Sequence, residues 1–265
     1  MSVPTFKSSL DTKIWELREI IQEKQTAVCL SLDVPNWQLG RELLQISAPY
    51  ICMVKIHPDL FSDWTREAQT ELIEMASAGR YQIMCDQKMA DVPKIVERQI
   101  RADMLGLYRV ADWVTIMPNN YLDVAEFLAK SVDYTACRPQ LLLVGQMNTK
   151  SSLSNTADFK AAVSEIILQP EYPVRAIITQ LNVYRDVVLG MTPGVILNDS
   201  VNPDPARYRT IRDAIARDHN QVVILGASLL GPLTDSTPAT SEELAEFHVR
   251  VAEAAMQSWV ATKCI

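Results

Sequence analysis

The stretch Tyr81-Gln82-Ile83-Met84-Cys85-Asp86-Gln87-Lys88-Met89-Ala90-Asp91 places three charged side chains directly after an apolar run. The run Gln82–Cys85 predicts a short buried strand. Side chains alternate along a strand, so Asp86 and Lys88 are expected on the same side, and Asp91 follows where a helix is expected to begin. Charges are costly to bury unless they are paired. The stretch therefore indicates either a structural ion network or a site that moves protons and stabilises charge.

Apolar runs of strand length recur along the whole chain, and segments with helical periodicity separate most of them. The predicted strands are Ala27–Leu32, Ile51–Ile56, Gln82–Cys85, Trp113–Ile116, Gln140–Val144, Arg175–Thr179, Val187–Met191 and Val222–Leu225. The predicted helices are Asp11–Lys24, Trp37–Ile46, Thr65–Ala78, Val92–Leu105, Leu122–Lys130, Asp158–Leu168, Ala206–Arg217 and Ser241–Trp259.

Strands that alternate with helices predict βαβ units and a parallel sheet. Eight such strands in about 250 residues favour a (β/α)₈ TIM barrel. We expect one domain over residues 1–265, with a preceding helix at about 11–24. The sixth cycle is short, because only Gln180–Asp186 separates its strands. A doubly wound open sheet is therefore the alternative.

The bulk composition is that of an ordinary globular protein, with 48% hydrophobic and 22% charged residues and a net charge of −7. The acidic balance argues against a nucleic-acid partner. No two of the five cysteines have metal-ligand spacing, so free thiols in a reducing compartment are expected. The sequence has no apolar stretch of membrane-spanning length and no signal-peptide pattern. We expect a cytoplasmic protein without a membrane partner.

Charged residues gather at the predicted ends of successive strands, which is where a (β/α)₈ barrel carries its active site. Asp33 follows the first strand, and Lys55 lies near the end of the second with His57 just beyond it. The third strand contributes Asp86 and Lys88. Because a buried ion pair adds little stability, this gathering favours an active-site cluster over a structural salt-bridge network.

Six motifs occur in a recognisable order along the chain. They are Leu30-Ser31-Leu32-Asp33-Val34, Val54-Lys55-Ile56-His57-Pro58-Asp59, Asp86-Gln87-Lys88-Met89-Ala90-Asp91, the segment Leu141–Leu153, Met191-Thr192-Pro193-Gly194-Val195 and Tyr208-Arg209-Thr210. Together they resemble the orotidine 5'-monophosphate decarboxylases, particularly the fungal type. The resemblance implies a homodimer of (β/α)₈ barrels with shared active sites, which acts on a small-molecule carboxylic acid without a metal or organic cofactor.

The resemblance also implies roles for individual residues. Lys55, Asp86, Lys88 and Asp91 would form an array of alternating charges, with Asp91 contributed to the neighbouring subunit's site. Lys88 would stabilise and protonate the carbanion left when CO₂ departs from C6 of orotidine monophosphate. A fixed ammonium group at that carbon stabilises the transition state more than the ground state, as catalysis requires. The candidate substrate-binding residues are Asp33, His57, Ile95, Thr149, Pro193, Arg207, Tyr208 and Ala227.

The chain departs from the family pattern mainly where the substrate's phosphate would bind. The family's phosphate-binding arginine, at the end of the eighth strand, corresponds to Ala227, and a phosphate-binding glutamine corresponds to Ala206. An arginine–phosphate contact is charge-assisted and often bidentate, and alanine replaces none of it. In addition, Ile95 stands in place of a substrate-binding threonine, and Thr149 in place of a serine that reads the pyrimidine amide.

Three interpretations remain open at this point. Arg207 or Arg209 could supply a replacement phosphate contact, which would preserve the usual reaction of pyrimidine (UMP) biosynthesis. Alternatively, the charged array acts on an unphosphorylated carboxylic acid in specialised metabolism, and this is the interpretation that we favour. Lastly, the fold could serve as a non-catalytic binding protein. The retained charges argue against that role, because buried charge is costly without a function.

Overall fold

The computed structural model describes residues 6–130, 139–149, 152–197, 208–235 and 238–264, with side chains from residue 11 onwards. The strands are β1 Val28–Ser31, β2 Met53–Ile56, β3 Gln82–Met89, β4 Trp113–Ile116, β5 Gln140–Val144, β6 Ala176–Ile178, β7 Leu189–Thr192, β8 Val195–Ile196, β9 Arg209–Thr210 and β10 Val222–Leu225. The α-helices are α1 Phe6–Lys24, α2 Trp37–Ser47, α3 Arg66–Gly79, α4 Pro93–Arg101, α5 Leu107–Val110, α6 Tyr121–Ala129, α7 Ala157–Ile167, α8 Ala227–Leu230 and α9 Ser241–Thr262.

Eight of these strands are parallel and close into a barrel in the order β1-β10-β7-β6-β5-β4-β3-β2. The predicted (β/α)₈ barrel is confirmed, and the alternative of an open sheet is wrong. The short sixth cycle is also confirmed, since the described segment 179–188 between β6 and β7 contains turns and no helix. The two remaining strands, β8 and β9, pair with each other outside the barrel.

Several helices begin at a side chain that caps them, as the local sequence favours. Asn36 accepts a hydrogen bond from the Leu39 amide at the start of α2, and Thr65 does the same at α3. Thr240 and Glu243 form a reciprocal capping box at the start of α9. Such caps satisfy amide groups that have no partner within the helix.

The apolar core has two layers, which follow from the alternation of side chains along each strand. The inner layer fills the barrel with residues such as Met53, Met84 and Trp113, and it also includes Leu17 of α1. The outer layer packs strand residues such as Val114 against the surrounding helices. Helix α1 thus covers the amino-terminal end of the barrel and leaves the carboxyl ends of the strands open.

Several predicted boundaries are wrong. Helix α1 begins at Phe6 instead of Asp11, and α9 ends at Thr262 instead of Trp259. Strand β3 continues four residues beyond the predicted Gln82–Cys85, so that it includes Asp86 and Lys88. Helix α4 ends at Arg101 instead of Leu105. The predicted helix Ala206–Arg217 is replaced, in its described part, by strand β9 and a π-helical turn over Asp213–Arg217.

Candidate active site

Two lysines and a histidine surround one oxygen of Asp86 at the carboxyl end of the barrel. The distances from Asp86 Oδ2 are 2.8 Å to Lys88 Nζ, 3.6 Å to Lys55 Nζ and 3.4 Å to His57 Nε2. Lys55 also lies 3.2 Å from Asp33 Oδ1. The expectation that Asp86 and Lys88 share one side of the strand is therefore correct.

Burial and charge act in opposite directions on the central carboxylate. Asp86 is only 8% exposed, and this burial raises its pKa, but the neighbouring Lys55 and Lys88 outweigh the effect and hold the pKa below its usual value. For His57, burial and the charge of Lys55 lower the pKa. The site thus combines an ionised aspartate with a histidine that favours its neutral form at pH 7.

The other oxygen of Asp86 is held by Thr115 of β4, a residue that is not among the predicted site residues. Thr115 Oγ1 donates to Asp86 Oδ1 at 2.8 Å and accepts from the Lys88 amide at 2.8 Å. Thr115 lies within an apolar strand, where nothing in the local sequence distinguishes it from a packing residue.

A cavity of about 810 Å³ opens beside this cluster. Lys55 of β2 and Asp86 and Lys88 of β3 form its floor. The residues predicted to bind substrate that line its wall are Asp33, Thr149, Pro193, Tyr208 and Ala227. Loops after strands on different sides of the barrel therefore converge on one space, as in other (β/α)₈ barrels.

Of the predicted site residues that the structure describes, three do not line this cavity. His57 contacts Asp86, with its Nε2 3.4 Å from Oδ2, but is not part of the cavity lining. Ile95 lies on α4, and Asp91 is exposed, with its carboxylate accepting a hydrogen bond from the Val92 amide at 2.7 Å. Asp91 instead borders a separate groove together with Lys88 and Val92. The structure therefore brings Lys55, Asp86 and Lys88 together and leaves Asp91 apart from them within one chain.

Arg209 is engaged elsewhere, which removes one candidate for a replacement phosphate contact. Its guanidinium donates to Asp218 Oδ2 at 2.8 Å, to Thr192 Oγ1 at 2.6 Å and to the carbonyls of Gln180 and Pro193. It holds the loops after β6 and β7 together and does not line the cavity. The other candidate, Arg207, lies outside the described residues, as does Ala206.

The cavity wall near Ala227 carries side chains of both charges. Arg250 of α9 lines the cavity and donates to the Leu229 carbonyl at 2.7 Å, and it pairs with Glu246 at 3.1 Å. Glu253 lines the same wall. This part of the cavity therefore has Arg250 as a hydrogen-bond donor and Glu253 as an acceptor. The single positive charge of Arg250 does not exceed the two negative charges of Glu246 and Glu253.

Among the residues that the structure describes, no group of three or more histidine, cysteine, aspartate or glutamate side chains is arranged to hold a metal ion. None of the helices in the described ranges is long and apolar enough to cross a bilayer.

Residues 26–235, which include the whole charged cluster, match the Orotidine 5'-phosphate decarboxylase / HUMPS family. The chain belongs to this family. It is similar to the orotidine 5'-phosphate decarboxylase of Pichia kudriavzevii, with 29% identity over 225 residues, or 81% of this chain and 84% of the relative. It is equally similar to that of Saccharomyces cerevisiae, with 29% identity over 230 residues, or 83% and 84% of the two chains.

A solved structure has the same fold as this chain. Orotidine 5'-monophosphate decarboxylase from Methanocaldococcus jannaschii, complexed with inhibitor BMP, superposes with a TM-score of 0.56 at 16% identity, covering 85% of this chain and 98% of that one. The relatives in the Orotidine 5'-phosphate decarboxylase / HUMPS family confirm the expectation that this chain is a carbon–carbon lyase of the decarboxylase type.

Proposed function

We propose that the chain catalyses a cofactor-independent decarboxylation in which Lys88 stabilises and protonates a carbanion. The observation that carries the proposal is the contact between Lys88 Nζ and Asp86 Oδ2 at 2.8 Å, on the floor of a cavity large enough for a small organic acid. An ionised aspartate keeps the ammonium group charged and fixes its position. A preorganised charge of this kind needs no reorganisation during the reaction.

The proposed step balances without an added reagent. The bond between the substrate carbon and its carboxylate breaks, CO₂ leaves, and the electron pair remains on the carbon. Lys88 Nζ transfers a proton to that carbon and then recovers a proton from solvent. Lys55, which lies 3.6 Å from Asp86 and 3.2 Å from Asp33, orients both carboxylates during the step.

We further propose that the substrate is an unphosphorylated carboxylic acid in specialised metabolism. The support comes from the cavity wall at Ala227, where Arg250 is already paired with Glu246 and where Glu253 adds a second negative charge. A phosphate group carries close to two negative charges at pH 7 and binds best to an excess of cationic donors. A hydroxyl or amide group fits a wall that offers one donor and one acceptor.

Orotidine 5'-monophosphate is the second candidate substrate, and the comparisons favour it. The curated relatives at 29% identity carry the name orotidine 5'-phosphate decarboxylase. In that case a phosphate contact would come from residues outside the described ranges, among them Arg207.

Measurement of CO₂ release separates the two candidates. The wild-type protein should release CO₂ from at least one member of a panel of unphosphorylated acids that starts with orotidine, and should turn over orotidine 5'-monophosphate at least about 100-fold more slowly than that acid. The variant Ala227→Arg should improve turnover of the phosphorylated substrate, whereas Ala227→Met, which adds similar bulk without charge, should not. Efficient wild-type turnover of orotidine 5'-monophosphate would establish the second candidate.

We also propose that the enzyme is a cytoplasmic homodimer in which Asp91 completes the site of the partner subunit. Asp91 is exposed beside the groove that borders Lys88, and the neighbouring Val92 is 60% exposed. A second copy of the chain that covers this groove would bury Val92 and bring a fourth charge towards the cluster.

Complementation between two inactive variants tests the shared site. Asp91→Ala and Lys88→Ala should each be inactive alone. After the two are mixed under conditions that exchange subunits, half of the dimers are mixed and each has one intact site, so about a quarter of the wild-type activity should return. If no activity returns although one variant co-purifies with a tag carried by the other, which shows that mixed dimers form, the shared site is wrong.

A further inference from the structure

The Thr115 hydroxyl connects the two residues that the proposed reaction uses. It donates its only proton to Asp86 Oδ1, and its oxygen accepts the amide proton of Lys88, each at 2.8 Å. The direction of both hydrogen bonds is fixed, because a backbone amide can only donate and an ionised carboxylate can only accept. Such a chain of hydrogen bonds polarises and strengthens its members.

The backbone around Lys88 depends on this contact. Cys85 pairs with Val114 and Met89 pairs with Ile116, so three residues of β3 lie opposite the single residue Thr115 of β4. Within this bulge Lys88 has a φ of 47°, a left-handed conformation that residues other than glycine rarely adopt. The Lys88 amide has left the regular ladder of the sheet, and the Thr115 side chain supplies its acceptor.

The orientation of the Asp86 carboxylate depends on the same contact. Thr115 holds Oδ1, while the nitrogen atoms of Lys88, Lys55 and His57 lie within 3.6 Å of Oδ2. Thr115 is fully buried, so water does not replace its hydroxyl as a donor to Oδ1. Rotation of the carboxylate would therefore break the hydrogen bond from Thr115 and change every contact to the cations.

We propose that Thr115 is a positioning residue for this reaction, because its hydroxyl fixes both the Asp86 carboxylate and the bulge that presents Lys88. This inference rests on the proposed function, since it assigns Thr115 a role in placing the groups that perform it. The residue touches no part of the cavity and acts only through its two neighbours.

Thr115→Val tests the proposal, because valine keeps the shape of threonine and removes both hydrogen bonds. We expect kcat for CO₂ release to fall about 10- to 100-fold with a smaller change in KM, as for a misplaced catalytic group. The pKa of Asp86 should rise, since the hydrogen bond from Thr115 contributes to lowering it. Thr115→Ser, which restores a hydroxyl, should recover most of the lost rate.

Thr26→Val is a matched control. Thr26 is also fully buried, donates to a carbonyl, that of Tyr50, at 2.7 Å, and accepts from the Val28 amide at 3.2 Å. It lies just before β1 at the amino-terminal end of the barrel, far along the strands from the charged cluster. Thr26→Val should therefore lower stability without changing kcat or the titration of Asp86.

The titration of Asp86 keeps this test separate from the proposed function. Carbon-13 NMR of the aspartate carboxyl groups, assigned with Asp86→Asn, needs no substrate and compares wild type, Thr115→Val and Thr26→Val directly. A wild type that decarboxylates nothing, together with a raised pKa of Asp86 in Thr115→Val, would overturn the proposed function but keep the positioning role. An unchanged pKa and unchanged kcat in Thr115→Val would overturn the positioning role. If Thr115→Val does not fold, Thr115→Ala is measured by the same criteria.

Discussion

Replacement of Asp86 by asparagine should lower stability strongly, because the change keeps the shape of the side chain and removes the charge that the surrounding cations share. At an effective dielectric constant of about 20, two unit charges attract each other by about 6 kcal/mol at the 2.8 Å distance to Lys88 and about 5 kcal/mol at the 3.6 Å distance to Lys55. Most of this attraction offsets the cost of removing the charges from water.

The net loss of stability in Asp86→Asn is smaller than these attractions, but the variant is expected to be less stable than the wild type. Removing one partner of a buried ion pair costs about 3–5 kcal/mol. The lower end applies here, because Lys55 keeps its contact with Asp33 and the Lys88 side chain is 34% exposed to solvent. We therefore expect Asp86→Asn to lower the free energy of unfolding by about 3 kcal/mol at pH 7.

The dependence on pH provides a second check. The folded pKa of Asp86 is lowered, so its stabilising effect is complete above the unfolded value of about 3.9 and is lost as the pH falls through the folded value. The difference in stability between wild type and Asp86→Asn should therefore narrow in acid.

Urea denaturation followed by tryptophan fluorescence measures both effects. Asp59→Asn is the control, since it makes the same chemical change at an exposed residue at the same end of the barrel, and it should alter stability by less than about 0.5 kcal/mol. A loss in Asp86→Asn no larger than that of Asp59→Asn, or a difference that stays constant in acid, would refute the electrostatic account of the cluster.

Three other changes test separate parts of the structure. The Lys24 ammonium group lies within hydrogen-bond distance of four backbone carbonyls around α3 and β2 and can donate to three of them at once. Lys24→Met should therefore lower the free energy of unfolding by about 2–3 kcal/mol in urea denaturation, and a loss below about 0.5 kcal/mol would contradict this role. Arg209→Lys should raise KM with little change in kcat, because lysine cannot connect the loops after β6 and β7 as the planar guanidinium does. An unchanged KM would show that these loops keep their positions without the Arg209 contacts. The folded pKa of His57 is lowered, so the unfolded state binds more protons and wild-type stability should fall as the pH drops below about 6.5. His57→Asn should lose that part of the slope, and an equal slope in both proteins would argue against a partly buried, neutral histidine.

The sequence predicted the barrel well where its strands are continuous apolar runs. The bounds of β4, β5 and β10 agree with the prediction residue for residue. These strands are buried on both faces, so the apolar run itself marks where each begins and ends. The short sixth cycle was also visible, because seven residues cannot form a turn and a full crossover helix.

The details that tertiary contacts determine could not be predicted from local sequence. Strand β3 continues through charged residues because Asp86 pairs with Lys55 of β2 and because Thr115 accepts a hydrogen bond from the Lys88 amide. Likewise Tyr208-Arg209-Thr210 resembles a helix start in isolation, yet the Arg209 network holds this segment against the loop after β7, where β9 pairs with β8. Helical propensity is weak enough for such contacts to override it.

The role of Lys88 is tested most directly by comparing CO₂ release by wild type and Lys88→Ala with the best substrate found for the wild type. We expect Lys88→Ala to keep the fold, judged by circular dichroism, and to lose at least about 1,000-fold in kcat, because the variant lacks both the fixed charge and the proton donor. A folded Lys88→Ala protein that releases CO₂ at the wild-type rate would contradict a catalytic role for Lys88.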